Sequence, residues 1–187
     1  MLEFVWRLTI VAILMSSAAS AEEGASWVEM KVWDVVRVDG DQSVVLLRAK
    51  APKPIVLPIW IGEAEAVAIQ LRLARQLPPR PLTHDLLERV LKTVGARVVK
   101  IQVEGLRERI FLGLVFVRRG NQTFDLDARP SDSIALALGA QAPIYVSRAV
   151  LDEVGMDAPE AESGDRRPAN VEELLRKARR PGTDTSL

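Results

Sequence analysis

The 187 residues carry 25 basic and 25 acidic side chains, a formal net charge of zero, and 48% of them are hydrophobic. That is enough apolar content for one domain with a core, without the basic excess that advertises nucleic acid or an acidic solvating run. The absence of cysteine excludes disulfides, thiolate catalysis and cysteine-ligated zinc, and a single histidine excludes a metal site built from two or three histidines of one chain.

The chain opens with Arg7, an apolar run Leu8 to Met15, and small residues ending in Ala19-Ser20-Ala21. The run is too short to cross a bilayer, and the order is that of a cleaved signal peptide over residues 1–21. It predicts a periplasmic or secreted protein with no membrane span after cleavage. The rival reading is a spurious upstream start, with translation beginning at Met30 and a cytoplasmic product.

From Trp27 the pattern is that of strands. "WVEMKVWDVVRV" alternates up to the turn signal Asp39-Gly40, "SVVLLRA" answers it, and "IVLPIWI" is a third strand with Pro58 marking a bulge or an edge. Gly62 opens a helix with Val67, Leu71 and Ala74 on one face and Ile69 and Leu73 beside it. Glu63 and Glu65 occupy its first turn, where the dipole favours acids. After the stiff "PPRP", Thr83 is the expected cap of a second helix, whose stripe Leu86, Leu87, Val90, Leu91 and Val94 is expected to be buried. Two further strands follow, then the "RRGN" hairpin turn and a returning strand "QTFDLD". Ser131 is the expected cap of an apolar helix, and "PIYVS" and a short helix ending at Gly155 complete the pattern. The mixture of hairpins and helices predicts an α+β fold, a single domain over about residues 27–155 with a mixed or antiparallel sheet and packed helices. Residues 156–187, rich in Pro, Ala and charge, read as a flexible tail with a short helix started by Asn170 and Glu173.

The stretch "DLDARPSD" concentrates charge. If Phe124 and Leu126 face the core, Asp125 and Asp127 share the other face, roughly 7 Å apart along the strand. Arg129-Pro130 then turns the chain to Ser131 and Asp132. Cap, dipole and neutralising arginine account for Asp132 without chemistry. They account less well for two outward aspartates, which could bind a hard divalent cation or hold one carboxyl protonated. His84, in the first turn of a helix, is expected to be neutral and fit to act as a base or ligand. Its bland alternative is an exposed pair with Glu88, as Asp85 has with Arg89. Glu65 has Ile69 four residues on, so no salt bridge within its helix explains it, and a first-turn acid remains its simpler reading.

The blocks "VVLL…LPIWIGEAEAVAI", "RPLTHDLL" and "DLDARPSDSIALAL…PIYVS" resemble the bifunctional nuclease domain family in order and spacing, over about residues 28–155. The resemblance implies a small α+β domain, and some members are credited with cleaving both DNA and RNA. It marks Glu65, Thr83, His84, Asp85, Asp127, Arg129, Ser131 and Asp132 as the recurring polar positions. An export signal departs from the family's usual pattern, and the tail beyond Gly155 lies outside it.

On this resemblance the expected activity is hydrolysis of RNA or DNA, with His84 as base or acid, Asp85 orienting it and Arg129 clamping phosphate. Asp127 and Asp132, joined by Asp125 and Glu65, would hold Mg²⁺ or Mn²⁺; no organic cofactor is implied. This requires the "THDL" and "DARPSD" turns to meet in one cleft. The alternative is a non-catalytic binding or regulatory module of the same fold. A homo-oligomer with its cleft between subunits would compensate for the single histidine.

Overall fold

Residues 26–38, 42–49, 55–158 and 175–176 are described by the computed structural model. The segment 1–21 expected to be a signal peptide, and nearly all of the expected tail, lie outside them. The alternating and continuous apolar runs become strands β1 (Trp27–Arg37), β2 (Ser43–Ala49) and β3 (Ile55–Ile61). Helices α1 (Glu63–Leu73) and α2 (Thr83–Thr93) follow, then the meander β4 (Ala96–Arg107), β5 (Ile110–Arg119) and β6 (Gln122–Ala128). Helix α3 (Pro130–Ala140), strand β7 (Ile144–Ser147), helix α4 (Arg148–Val154) and the two-residue β8 (Met156–Asp157) end the fold.

The strands form one sheet in the order β6-β5-β4-β7-β1-β2-β3-β8. β4 and β7 are parallel, and the other described pairs are antiparallel. This is the expected α+β class. No helix among the described residues is long and apolar enough to cross a membrane.

The helices share one face. Ala66 and Ile69 of α1, Ile134 to Ala137 of α3, and Val150 and Leu151 of α4 are buried in the same cluster as Val45, Leu47, Leu57, Ile101, Val103, Val115 and Val117 of the sheet. Leu91 of α2 packs at its margin. The intervening side chains Val44, Leu46 and Val56, with Val36, form a smaller cluster on the opposite face, covered there by Leu175 of the tail. The two-residue side-chain period of a strand explains why adjacent β2 residues serve different clusters.

Three burial expectations are corrected. In α1 the buried residues are Ala66, Ala68 and Ile69, whereas Val67 and Leu73 are exposed. No residue of α2 is fully buried, and Leu86, Leu87, Val90 and Val94 are exposed, because the helix touches the core along one side only. In β6 the alternation is as read, since Phe124 and Leu126 pair with core-facing Val117 and Val115. Yet β6 is an edge strand that the helix layer does not reach across, so both stay exposed. Pro58 is accommodated because β8 pairs only with Ile55 and Val56, leaving the outer edge of β3 free beside it.

The deepest element is α3. It starts immediately after β6, and its first turn lies directly on Gly113 of β5. A Cβ there would come 2.7 Å from the Ala128 carbonyl oxygen and 3.2 Å from both the Pro130 nitrogen and Ser133 Oγ. Backbone atoms cannot swing aside as a side-chain tip can. Gly113→Ala is therefore expected to cost about 1–3 kcal/mol, the usual range for overpacking. Chemical denaturation of the folded variant measures it, and an unchanged midpoint would show that this contact does not seat α3.

Candidate active site at three helix starts

Three helices begin beside one another, and each contributes a polar residue from its start. Gly62 is the N-cap of α1 and Glu65 stands in the first turn. The glycine leaves room for the Glu65 carboxylate, because a Cβ on residue 62 would lie 2.5 Å from its Oε2. The other oxygen, Oε1, accepts a hydrogen bond of 2.7 Å from Arg129 Nη2.

At α2 the N-cap is Leu82, one residue before the expected Thr83, and Asp85 Oδ2 accepts from the Leu82 backbone N–H at 2.8 Å. His84 turns toward α3 instead, with Nε2 3.0 Å from Asp132 Oδ1. At α3 the N-cap is Arg129, two residues before the expected Ser131, and Pro130 takes the first helical position, where its missing N–H costs nothing. Ser131 is buried inside the first turn.

Arg129 connects the group. Its Nε donates to Asp132 Oδ2 at 2.8 Å, and Nη2 donates to Glu65 and, at 3.4 Å, to Asp132 Oδ1. The Arg129 side chain is 70% exposed while those of Glu65 and His84 are 14% and 13% exposed. The fork is thus gripped along one edge and leaves Nη1 toward solvent. Partial burial works to raise the Asp132 carboxyl, but the hydrogen bonds from Arg129 and His84, with the attraction of both charges, outweigh it and hold the pKa below its ordinary value. The Asp132 hydrogen bond and charge, then the Glu65 charge, raise the Arg129 guanidinium further.

The expected sites meet in part. "THDL" and "DARPSD" do come together, through His84 and Asp132. The orienting partner of His84 is Asp132, and not Asp85, because neighbouring residues on a helix do not face the same way. Asp85 Oδ1 and Glu88 Oε1 instead accept from Arg72 Nη2 of α1, at 2.9 and 2.7 Å. The pairs His84–Glu88 and Asp85–Arg89 are therefore replaced by contacts between helices. Asp85 and Glu88 border a separate cavity of about 390 Å³, lined also by Leu77, Pro78, Pro79 and Pro81.

Asp125 and Asp127 pair with Phe116 and Leu114, whose side chains alternate with core-facing Val115 and Val117. They point to the face of the sheet opposite the helices. The four carboxylates of the metal expectation are thus not gathered, and among the described residues no three His, Asp or Glu side chains stand close enough to share an ion. Between Glu65 and Asp132, the guanidinium of Arg129 takes the place of a bridging cation. As arranged, this donor set does not fit a divalent ion.

Sequence reasoning missed the Arg72–Asp85–Glu88 cluster, since a basic residue in the last turn of a helix is already accounted for by the dipole. It also missed the Arg129–Glu65 bridge, which spans 64 positions and leaves no local signal.

A sheet covered by helices on one face, with a histidine, two carboxylates and an arginine meeting where three helices start, defines a small α+β domain with one polar cluster at its helix starts. The bifunctional nuclease domain matches residues 45–159, more than half of the chain and all of this site. The chain belongs to that family. It is 38% identical over 144 residues to an uncharacterized protein of Mycobacterium tuberculosis strain H37Rv, covering 76% of this chain and 85% of the relative. It is 23% identical over 124 residues to "Bifunctional nuclease 1" of Oryza sativa subsp. indica, covering 65% of this chain but 38% of that protein.

The depressed Asp132 carboxyl fixes the sign of a pH effect. Its contribution to stability is present above its unfolded value of about 3.8 and is lost as pH falls through the lower folded value. Asp132→Asn should therefore lower stability at pH 6 and flatten the part of the acid decline that Asp132 supplies below about pH 4. Urea midpoints from pH 6 to 3 test this; parallel curves for the two proteins would refute it.

Proposed function

We propose that this protein hydrolyses phosphodiester bonds in RNA, DNA or both, with His84 as the proton-transferring group and Arg129 as the phosphate contact. The observation that carries this reading is the 3.0 Å contact between His84 Nε2 and Asp132 Oδ1. Family membership supports it, as does the likeness to the bifunctional nuclease of Oryza sativa.

The chemistry follows from the pairing. An ionised carboxylate only accepts hydrogen bonds, so Asp132 fixes the proton of a neutral His84 on Nε2 and leaves the lone pair on Nδ1. That nitrogen can take a proton from an attacking water and later return it to the leaving oxygen. The free edge of the Arg129 guanidinium can donate to a non-bridging phosphate oxygen and stabilise its developing charge. Glu65 and Asp132 hold the fork against rotation. The reading of residues 1–21 as a signal peptide, part of the same proposal, would set this action in the periplasm or outside the cell.

One observation favours a second reading, a non-catalytic binding module. Every carboxylate described around His84 is already matched, Glu65 and Asp132 by Arg129, and Asp85 and Glu88 by Arg72. Such matching also serves to lock helices together.

Cleavage of single-stranded RNA and DNA by the mature chain, with and without Mg²⁺ or Mn²⁺, separates the two. His84→Ala is expected to lower the rate about 10²- to 10⁴-fold, the usual contribution of general acid–base catalysis, while the fold persists. Asp127→Asn, on the other face of the sheet, should change it far less. Equal rates in the wild type and His84→Ala would remove the chemistry from this site. No cleavage under any of the conditions would leave the binding module.

A further inference from the structure

The end of the sheet at the β5–β6 turn gathers bases that no acid answers. Arg97 and Arg118 stand directly opposite one another on the antiparallel pair β4–β5, and both are exposed. The neighbouring pair Val98–Val117 faces the core under the helices, so the two guanidiniums project from the opposite face. Lys100 pairs with Phe116 on the next rung of that face, and its Nζ lies 4.1 Å from the centre of the Phe116 ring. Like charges set opposite each other across two strands destabilise the pair. Among the described residues, no carboxylate forms an ion pair with Arg97, Lys100 or Arg118 to offset this. Asp125, one strand further out, stands opposite Phe116 and not opposite a base.

We infer that this corner is a second contact for a single-stranded polynucleotide, gripping phosphates of the same strand that reaches Arg129. The choice of ligand rests on the nuclease reading. Chemistry is the first argument. Two guanidinium forks side by side offer paired donors to phosphate oxygens, and the ammonium, steadied over an aromatic ring, adds a third positive charge. The chain as a whole is neutral. Yet charges in physiological salt are felt only within about 8 Å, so a local group of bases can hold a polyanion that the net charge does not attract.

Place is the second argument. The corner and the polar cluster lie on opposite faces of the sheet and toward opposite ends of β5. From Gly113, under the start of α3, to Arg118 the strand runs roughly 17 Å. A ligand held at both must pass around the end of the sheet. The β5–β6 turn leaves that way clear: Arg118 to Gln122 are all exposed, and a Cβ on Gly120 would meet nothing within 4 Å. Arg119, paired with Ala96, points to the helix-bearing face, so the turn carries one arginine to each side. Asp125 and Asp127 repel a polyanion from the rest of β6. A duplex, stiff over about 150 base pairs, cannot follow so tight a path, whereas a single strand can.

The test is binding of a fluorescent single-stranded DNA of about 20 nucleotides to the full chain, by anisotropy over a salt series. A His84→Ala background keeps the strand intact. Arg97→Gln/Arg118→Gln is compared with Arg107→Gln/Arg109→Gln, an equal loss of charge at the other end of the β4–β5 hairpin. The first should weaken binding at least about 10-fold and lower the slope of log affinity against log salt by about 1.4, at about 0.7 per phosphate contact. The second should do neither. The urea midpoint of Arg97→Gln/Arg118→Gln should stay level or rise, since the change relieves repulsion; a fall would make the pair structural and overturn the inference. With His84 restored, this variant should raise KM for the same strand. Equal weakening by both double variants, or no binding at low salt, overturns the inference. So does capture of phosphatidylserine vesicles in place of the oligonucleotide. Binding that depends on Arg97 and Arg118 without any cleavage by the wild type would sink the nuclease reading and leave this surface standing. Cleavage with binding indifferent to both arginines does the reverse.

Discussion

Helix α3 lies so deep that two glycines have to make room for it. Beneath it, Gly113 lets the first turn sit on the backbone of β5 and β6. On its outer side, Gly139 leaves the space that the Glu88 carboxylate occupies as it reaches for Arg72. Because α3 is held between a sheet and a bridge of charges, its start cannot wander. Both α1 and α2 pack against it, so its position also fixes where their first turns meet. The polar cluster follows from this packing. Glu65, His84 and Asp132 are neighbours because three helices share one seat.

That convergence accounts for Arg129 and Asp132 in "DLDARPSD", while Asp125 and Asp127 lie on the other face of the sheet. Two carboxylates brought together at helix starts would repel, but each helix start offers positive potential, and Arg129 spans both. The arginine is largely exposed, so its ion pairs add modestly to stability. Their larger effect is geometric, since a fork held at Nε and Nη2 has one orientation left. Asp132 has two duties, one oxygen facing His84 and the other facing Arg129 Nε. A change at Asp132 therefore alters the setting of His84 and of Arg129 together, while a change at Glu65 reaches the fork alone.

Much of this architecture was legible in the chain. The limits of β2 and β3 follow from apolar runs bounded by turn residues, and the α+β class follows from hairpins mixed with helices. The side-chain parity of β6 was also legible, but its burial was not, because periodicity says which way a residue points and not whether another layer lies there. The same gap explains α2, whose stripe is real and faces outward. The caps went astray through trust in serine and threonine, although Pro130 in the first turn already marks Arg129 as the boundary residue. That His84 could not be oriented by Asp85 was also readable, from the angle between successive helix positions. Its true partner was not, since 48 positions separate His84 from Asp132 and only the packing of α2 on α3 joins them.

The balance of charge at the cluster bears on how an anionic substrate could be held. Glu65 and Asp132 together outweigh Arg129 when His84 is neutral, and the chain as a whole has no net charge to attract a polyanion from a distance. On the proposed function, affinity for phosphate at the cluster would come from short-range donors, chiefly the free edge of Arg129 and the nearby helix starts, with little long-range steering. Protonating His84 removes the excess negative charge and favours binding, yet it also removes the lone pair that would activate water. Binding and proton abstraction thus pull the same ring in opposite directions.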